Sequence, residues 1–465
     1  MPRSAPNRRP TAVVIGASAA GLFAAAALTE VADVTIVERD LLPDGAEPRR
    51  GVPQARHAHL VWSGGVKAFN DLLPGVTDDV VSKGGRLVRI MGDMVSRSPN
   101  ELWFRRFEAT HHRNLVCSRD LLDSVLRHHV RALANVTFRE NTTALGLVGD
   151  ATRITGLRVG TGGDELTLNA DLVVDASGRG SHSPAWLAEL GLPETPEREV
   201  NAGVAYATRR YRAPRTTADI NFPLVNVQAN PAKAPGQGGI ILPIEDNQWI
   251  VTLSGTRGGE PTSDPDSFED FALNLGDPVI GQLLKDAEPI GDIATTRSTA
   301  NTRRYYEKTQ HWPDGYTVLG DAIAAYNPVY GHGLTVAAQC AIAVRNILRT
   351  TSITAPGTAK RLQRAAARPV AAAWDLAVGQ DAFYPGATDT PPNALERLLA
   401  RFVDQTVATG ARNPRALAAL LDVMSLEKPA TRLLSPDMLI PMIFGPKKPH
   451  LSRAPLSEQE WKSAS

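Results

Sequence analysis

A chain of 465 residues has room for two or three interlocked units, and 43% hydrophobic against 21% charged residues is a globular balance. With 50 basic and 49 acidic side chains, the net charge of +1 carries none of the excess that holds nucleic acid or an anionic membrane. Two cysteines, Cys117 and Cys340, are too few for a disulfide framework or a four-thiolate metal site; they read as free core thiols of a cytoplasmic protein.

Residues 1–10 read as a disordered leader, because a strand and a glycine turn follow where a signal peptide needs an apolar core. No run reaches the roughly 18 apolar residues that span a bilayer, so no transmembrane segment is expected. Residues 11–15 form a short apolar run closed by Gly16, residues 22–29 read as a helix, and residues 34–37 are a second apolar run ending at Glu38. Residues 115–133 have helical spacing, and 171–174 read as a buried strand. From about 201 to 300 the texture turns to β-type alternation, clearest in 238–243 and 249–253. Residues 316–319 return to a strand ending in Gly320 and Asp321, 334–349 to an apolar helix, and the remainder to a helical tail with stretches at 394–405 and 414–423.

The expected fold is α/β: a Rossmann-like domain over 11–80, 111–195 and 296–355, interleaved with a substrate-binding β-sheet domain over 81–110 and 196–295. A C-terminal helical region takes up 356–465.

Strand, glycine turn, helix and a second strand ending in an acid make a dinucleotide fingerprint of Gly16-Ala17-Ser18-Ala19-Ala20-Gly21 and Glu38. Gly16 makes the tight turn, Gly21 permits close helix packing, and the helix N-terminus offers N–H groups to a pyrophosphate. Ser18 stands where a middle glycine is usual, and Ala19, Ala20 and the Arg39 beside Glu38 complete this part of the candidate site. A nucleophile elbow is unsupported, since Ser18 lacks the glycine two residues on that such an elbow needs.

Two further segments, Asp175-Ala176-Ser177-Gly178-Arg179-Gly180-Ser181 and Gly320-Asp321 followed by Asn327-Pro328-Val329-Tyr330-Gly331-His332-Gly333-Leu334, resemble the second and third fingerprints of flavoprotein monooxygenases of the aromatic-hydroxylase, group A-like fold. Gly51-Val52-Pro53-Gln54-Ala55-Arg56-His57-Ala58-His59, residues 297–301 and the 327–333 turn resemble bacterial polyether-type polyene epoxidases, and squalene epoxidase more distantly. Flavin halogenases are less similar, because no tryptophan context carries Trp-x-Trp-x-Ile-Pro.

The resemblance implies FAD as cofactor, held by Asp321 on the ribityl chain, by Gly331, Gly333 and Leu334 at a helix start facing the flavin, and by Pro328 against the ring. It also implies that Arg50 and Arg119 reach FAD and that Asp175 helps close the nucleotide site. NAD(P)H is the implied electron donor, directly or through a flavin reductase, with O2 and a hydrophobic small molecule as the other reactants. The implied reaction inserts one oxygen atom through a flavin hydroperoxide, most simply as epoxidation of a polyene or polyketide intermediate in natural-product (antibiotic) biosynthesis. Alternatives are an aromatic or polyketide hydroxylase with the same flavin chemistry, and a non-catalytic flavin-binding redox sensor. No catalytic side chain is assigned and no metal is expected: His57 and His59 read as flavin-loop residues, and His111, His112, His128 and His129 as solvated surface. Phe222, Leu224, Val225, Ile240, Leu242 and Trp249 are candidates for the roof of an apolar pocket.

Overall fold

The computed structural model describes residues 8–109, 111–445 and 448–464. The expected leader therefore lies, for residues 1–7, outside the described residues. Five parallel strands in the order Tyr316–Val318, Leu172–Asp175, Thr11–Ile15, Asp33–Val37 and Val136–Arg139 form the first sheet. The apolar runs of the inner strands are buried, as a parallel sheet covered by helices requires, while the outermost strand Val136–Arg139 stays half-exposed. The register is the feature that builds a site: Ile15 pairs with both Val37 and Asp175, and Asp175 with Val318. The carboxyl ends of four segments far apart in sequence thus finish at one level, where open α/β sheets bind ligands.

Helix Ala19–Leu28 packs behind this edge against helix Gly333–Leu348, which in turn carries the long tail helix Thr358–Asp381. Both cysteines are buried and free.

A second sheet of six strands runs Glu288–Thr296, Ala205–Arg212, Gln248–Gly255, Gln237–Ile244, Leu224–Val227 and Met94–Arg97. The alternation read at 238–243 and 249–253 is its central antiparallel pair. Three differences from the sequence reading have physical causes. The span 115–133 is not one helix: Arg113–Val116 is a strand, and the helix Arg119–Arg131 starts only where Ser118 Oγ accepts from Leu121 N at 3.1 Å, a capping signal. The 201–300 stretch is not purely β, since helices Pro265–Leu273 and Val279–Leu284 cover the back of the sheet with Phe268, Ile280 and Leu283. The 81–110 segment is split, with Arg86–Arg89 paired to Arg113–Val116 while Met94–Arg97 joins the six-stranded sheet.

The tail is also more than a helical appendage. After helices Ala394–Gly410, Pro414–Met424 and Pro436–Phe444, the chain returns to the second sheet, where Leu451, Ala454 and Leu456 pack on its apolar back.

Candidate functional site

At the strand edge, Gly16 has φ +95°, and a side chain there would meet Ala176 O at 2.9 Å. Gly21 is tighter still: a Cβ would stand 1.8 Å from Gly16 O, so the helix lies on the turn only because Gly21 has none. Ser18 begins the helix with no hydrogen bond from its side chain to the helix N–H groups. Its hydroxyl instead accepts from Arg119 Nη2 at 3.1 Å, while Arg119 Nε donates to Asp123 at 2.6 Å. The serine that departs from the usual glycine thus fastens a buried arginine to the turn.

Glu38 accepts from Ala17 N at 2.8 Å and from Arg49 Nη2 at 2.9 Å, and Arg49 Nη1 donates to Ala17 O. Of the adjacent pair it is Arg49 that turns inward to Glu38, whereas Arg50 is exposed. Arg39 also points to solvent, 4.0 Å from Asp40. Buried Arg49 Nε has no partner, an orphan donor beside the phosphate-type turn.

Asp175 is fully buried and accepts from Ser177 N and Oγ, from Ser181 Oγ at 2.6 Å, and from Ser183 Oγ. It shapes the loop that follows its strand. Arg179 on that loop donates to Ala300 O at 2.7 Å.

Gly320 (φ +62°) precedes Asp321, whose carboxyl is pushed up by burial against the pull of Arg179 and Arg119. Gly333 opens its helix with only Asp321 Oδ1 near its missing Cβ, at 3.7 Å, and Leu334 is buried beneath. In the turn before it, Pro328 and Val329 are exposed within otherwise buried surroundings. Asn327 caps Val329 N, Gly331 takes φ +66°, and Trp62 Nε1 donates to Tyr330 O at 2.9 Å.

A buried polar network that the sequence did not disclose supports this turn. Asp381, at the end of the tail helix, accepts from Tyr330 OH at 2.5 Å, Asn301 Nδ2 at 2.7 Å and Asn327 Nδ2 at 3.0 Å. Tyr206 OH donates to Asn327 Oδ1 from the second sheet. Burial pushes the Asp381 carboxyl up, and these donors partly offset it.

Facing the turn, His57 Nδ1 pairs with Thr208 Oγ1 at 2.8 Å, and His59 Nδ1 donates to His57 O at 2.8 Å. Desolvation lowers His57 to about 4 and His59 to about 3, with Arg56 and Arg119 respectively adding to it, so both rings are neutral at neutral pH. Of the six roof candidates, Leu224, Ile240 and Leu242 face this side, next to Ala58 and Leu60. Phe222, Val225 and Trp249 belong to the opposite face, a period-two consequence that their apolar character alone hid.

His112 is not a surface residue: it is buried, has φ +56°, and its Nε2 stands 3.0 Å from Asp422. With Asp422 and Glu427 it forms the one group among the described residues with metal-ligand proximity. Each carboxylate there is already paired with a cation, Asp422 with Arg432 at 2.7 Å and Glu427 with Lys67 at 2.5 Å. The cluster is an ion-pair joint between the tail and the first domain.

The fold and this edge define a flavin-binding protein, and comparison with known proteins agrees. The FAD binding domain family matches residues 9–377, and the chain belongs to it, with FAD as its cofactor. Protein Rv3254 of Mycobacterium tuberculosis (strain ATCC 25618 / H37Rv) is 32% identical over 398 residues, 83% of each chain. Among solved structures, the flavin-dependent brominase Bmp2 superposes with TM-score 0.63 at 15% identity over 90% of this chain and 93% of its own. The p-nitrophenol 4-monooxygenase PnpA of Pseudomonas putida DLL-E4 does so with TM-score 0.62 at 14% identity over 90% and 99%. The fold is that shared by flavin-dependent monooxygenases and halogenases. No helix among the described residues is long and apolar enough to cross a membrane.

Proposed function

We propose that the chain is an FAD-dependent monooxygenase that epoxidises an alkene of an apolar polyene or polyketide intermediate. Bound and reduced, FAD supplies an activated oxygen atom from O2, with electrons from NAD(P)H directly or through a flavin reductase. The residues at the strand edge suit that cofactor. Gly16, Ser18, Ala19, Ala20 and Gly21 would hold the pyrophosphate, Glu38, backed by Arg49, a ribose hydroxyl, and Asp321 with Gly320 the ribityl chain. Arg119 stands over the phosphate turn through Ser18, and Asp175 keeps the neighbouring loop closed. Pro328 and Val329 present an exposed apolar step for the ring, and the helix start at Gly331, Gly333 and Leu334 would favour negative charge beside it.

The observation that carries the choice of reaction is the character of the opposite wall. Leu224, Leu242 and Ile250 form an apolar core behind the partly buried Ala58, Leu60 and Ile240, and the nearby rings of His57 and His59 are neutral and hydrogen-bonded within the protein. Burial also raises Tyr206 and Tyr330. Ring hydroxylation gains from a base that ionises a phenol, whereas adding oxygen to an alkene needs orientation and exclusion of water. The second reading, an aromatic or polyketide hydroxylase, draws on the fold likeness to a p-nitrophenol monooxygenase.

The test is to reduce the FAD-loaded protein, admit labelled O2 with a polyene, and analyse the product. One labelled oxygen in an epoxide supports the proposal. A hydroxylated ring from a phenolic competitor, with the polyene untouched, favours the second reading; hydrogen peroxide alone with every substrate favours a flavin-binding sensor.

A further inference from the structure

Large apolar side chains are exposed singly over most of the surface, at Leu41, Val81, Leu166, Leu273 and Val329. The tail differs, because Leu395, Leu398, Leu399, Val403, Leu434, Ile440, Ile443 and Phe444 are all exposed within fifty residues. On helix Ala394–Gly410, Leu395, Leu399, Phe402 and Thr406 share one face by their spacing. Thr406 is buried and Phe402 half-buried against the neighbouring helices, but the same stripe runs on uncovered, with Leu395 63% exposed. Helix Pro436–Phe444 packs against this helix and ends in Phe444, 79% exposed. A contiguous surface of this kind marks an interaction site.

Charge identifies the occupant. From residue 438 to 457 the sequence has no acidic residue and contains the basic Lys447, Lys448 and Arg453. Where this strap runs beside the helices, Arg105 donates to Pro449 O at 2.9 Å and Arg412 to Lys448 O, adding two more cations. The acids nearby are partly committed: Glu396 closes a capping box with Asn393 and Asp437 is paired with Arg432, leaving Asp404. The chain-wide balance of charge conceals this local run.

We infer that the tail helices Ala394–Gly410 and Pro436–Phe444 dock the protein in plane on an anionic membrane surface, with the apolar side chains in the lipid and Lys448, Arg105 and Arg412 at the headgroups. Apolar side chains bordered by lysine and arginine are what an interfacial helix pair presents. A second copy fits less well, because a twofold contact would set the acid-free strap against itself. The half-buried side of the same cluster includes Trp62, whose Nε1 donates to Tyr330 O. Docking stands whichever substrate is correct.

The test is sedimentation of the FAD-loaded full chain with vesicles of phosphatidylglycerol and phosphatidylcholine in equal parts, or of phosphatidylcholine alone, with size-exclusion light scattering alongside. The wild type is expected to pellet with the mixed vesicles and at least about tenfold less with the neutral ones or in high salt. A Leu398→Glu/Phe444→Glu variant is expected to stay in solution with its flavin spectrum and circular dichroism unchanged, and Lys448→Glu/Arg453→Glu to lose the preference for anionic lipid. Wild-type protein that stays in solution with both vesicles overturns the inference. So does a wild-type dimer that the apolar variant turns into a monomer, which would assign the surface to a second copy. The flavin spectrum reads cofactor loading separately from both results.

Discussion

Asp381 accepts a 2.5 Å hydrogen bond from Tyr330, tying the end of a tail helix to the turn that precedes helix Gly333–Leu348. Asn301 and Asn327 donate to the same carboxyl. Asp381→Ala strands three buried donors and is expected to cost roughly 3 kcal/mol of stability. Asp381→Asn keeps an acceptor for Tyr330 and should cost less. Because burial raises the native pKa above its unfolded value, the native state holds this proton more tightly. Stability therefore falls as pH rises from the ordinary carboxylate range through the native pKa, and the Asn variant should lack that slope in a series of denaturant titrations.

Glu38→Ala removes the partner of an arginine whose side chain is only 5% exposed. Breaking such a pair is expected to cost about 3 kcal/mol and, on the proposed ribose contact, to weaken FAD binding at least tenfold. Fluorescence titration with FAD and thermal unfolding measure the two effects separately. Arg50→Ala, at an exposed position, should change neither by much.

Two glycines separate packing from cofactor access. Gly21→Ala drives a methyl into Gly16 O and should destabilise the protein by more than about 2 kcal/mol, leaving it poorly folded and flavin-free. Gly333→Ala meets nothing closer than 3.7 Å, so the apoprotein should unfold at the wild-type temperature while FAD affinity falls. Equal loss of stability in both variants would contradict this contrast.

His57 has a native pKa of about 4 against an ordinary value of 6.5. The unfolded chain takes up that proton first, so this contribution is intact above about 6.5 and is lost as pH falls from there toward 4. His57→Gln, which can still bond Thr208, should retain more of its stability than the wild type when pH is lowered from 7 to 4.5, read as the change in Tm.

The nucleotide edge was legible because strand, glycine turn, helix and acid follow one another within thirty residues, and a single register then brings Asp175 and Asp321 to them. The Asp381 network was not, since it joins Tyr206, Asn301, Asn327 and a tail residue across 175 positions of sequence without a local motif. The same limit hid His112, whose partner Asp422 lies 310 residues away. For the second sheet the residue types were informative but the phase was not: Leu224 and Val225 are equally apolar neighbours, and only strand pairing decides which face of the sheet each joins. Arg49 and Arg50 posed the same problem in a loop, where no period assigns a direction.

The order of strands in the parallel sheet also bears on how the protein is made. Its edge strand Tyr316–Val318 is the last of the five to leave the ribosome, and it must pair with Leu172–Asp175, synthesised some 140 residues earlier. Until then Asp321 is absent from the edge, the second sheet has been inserted between the two halves, and the nascent chain carries a nucleotide turn without its far wall. Non-local closure of this kind is slow. Cofactor capture would thus be a late event, and a ribosome-bound chain ending before residue 316 should hold FAD far less firmly than the released protein.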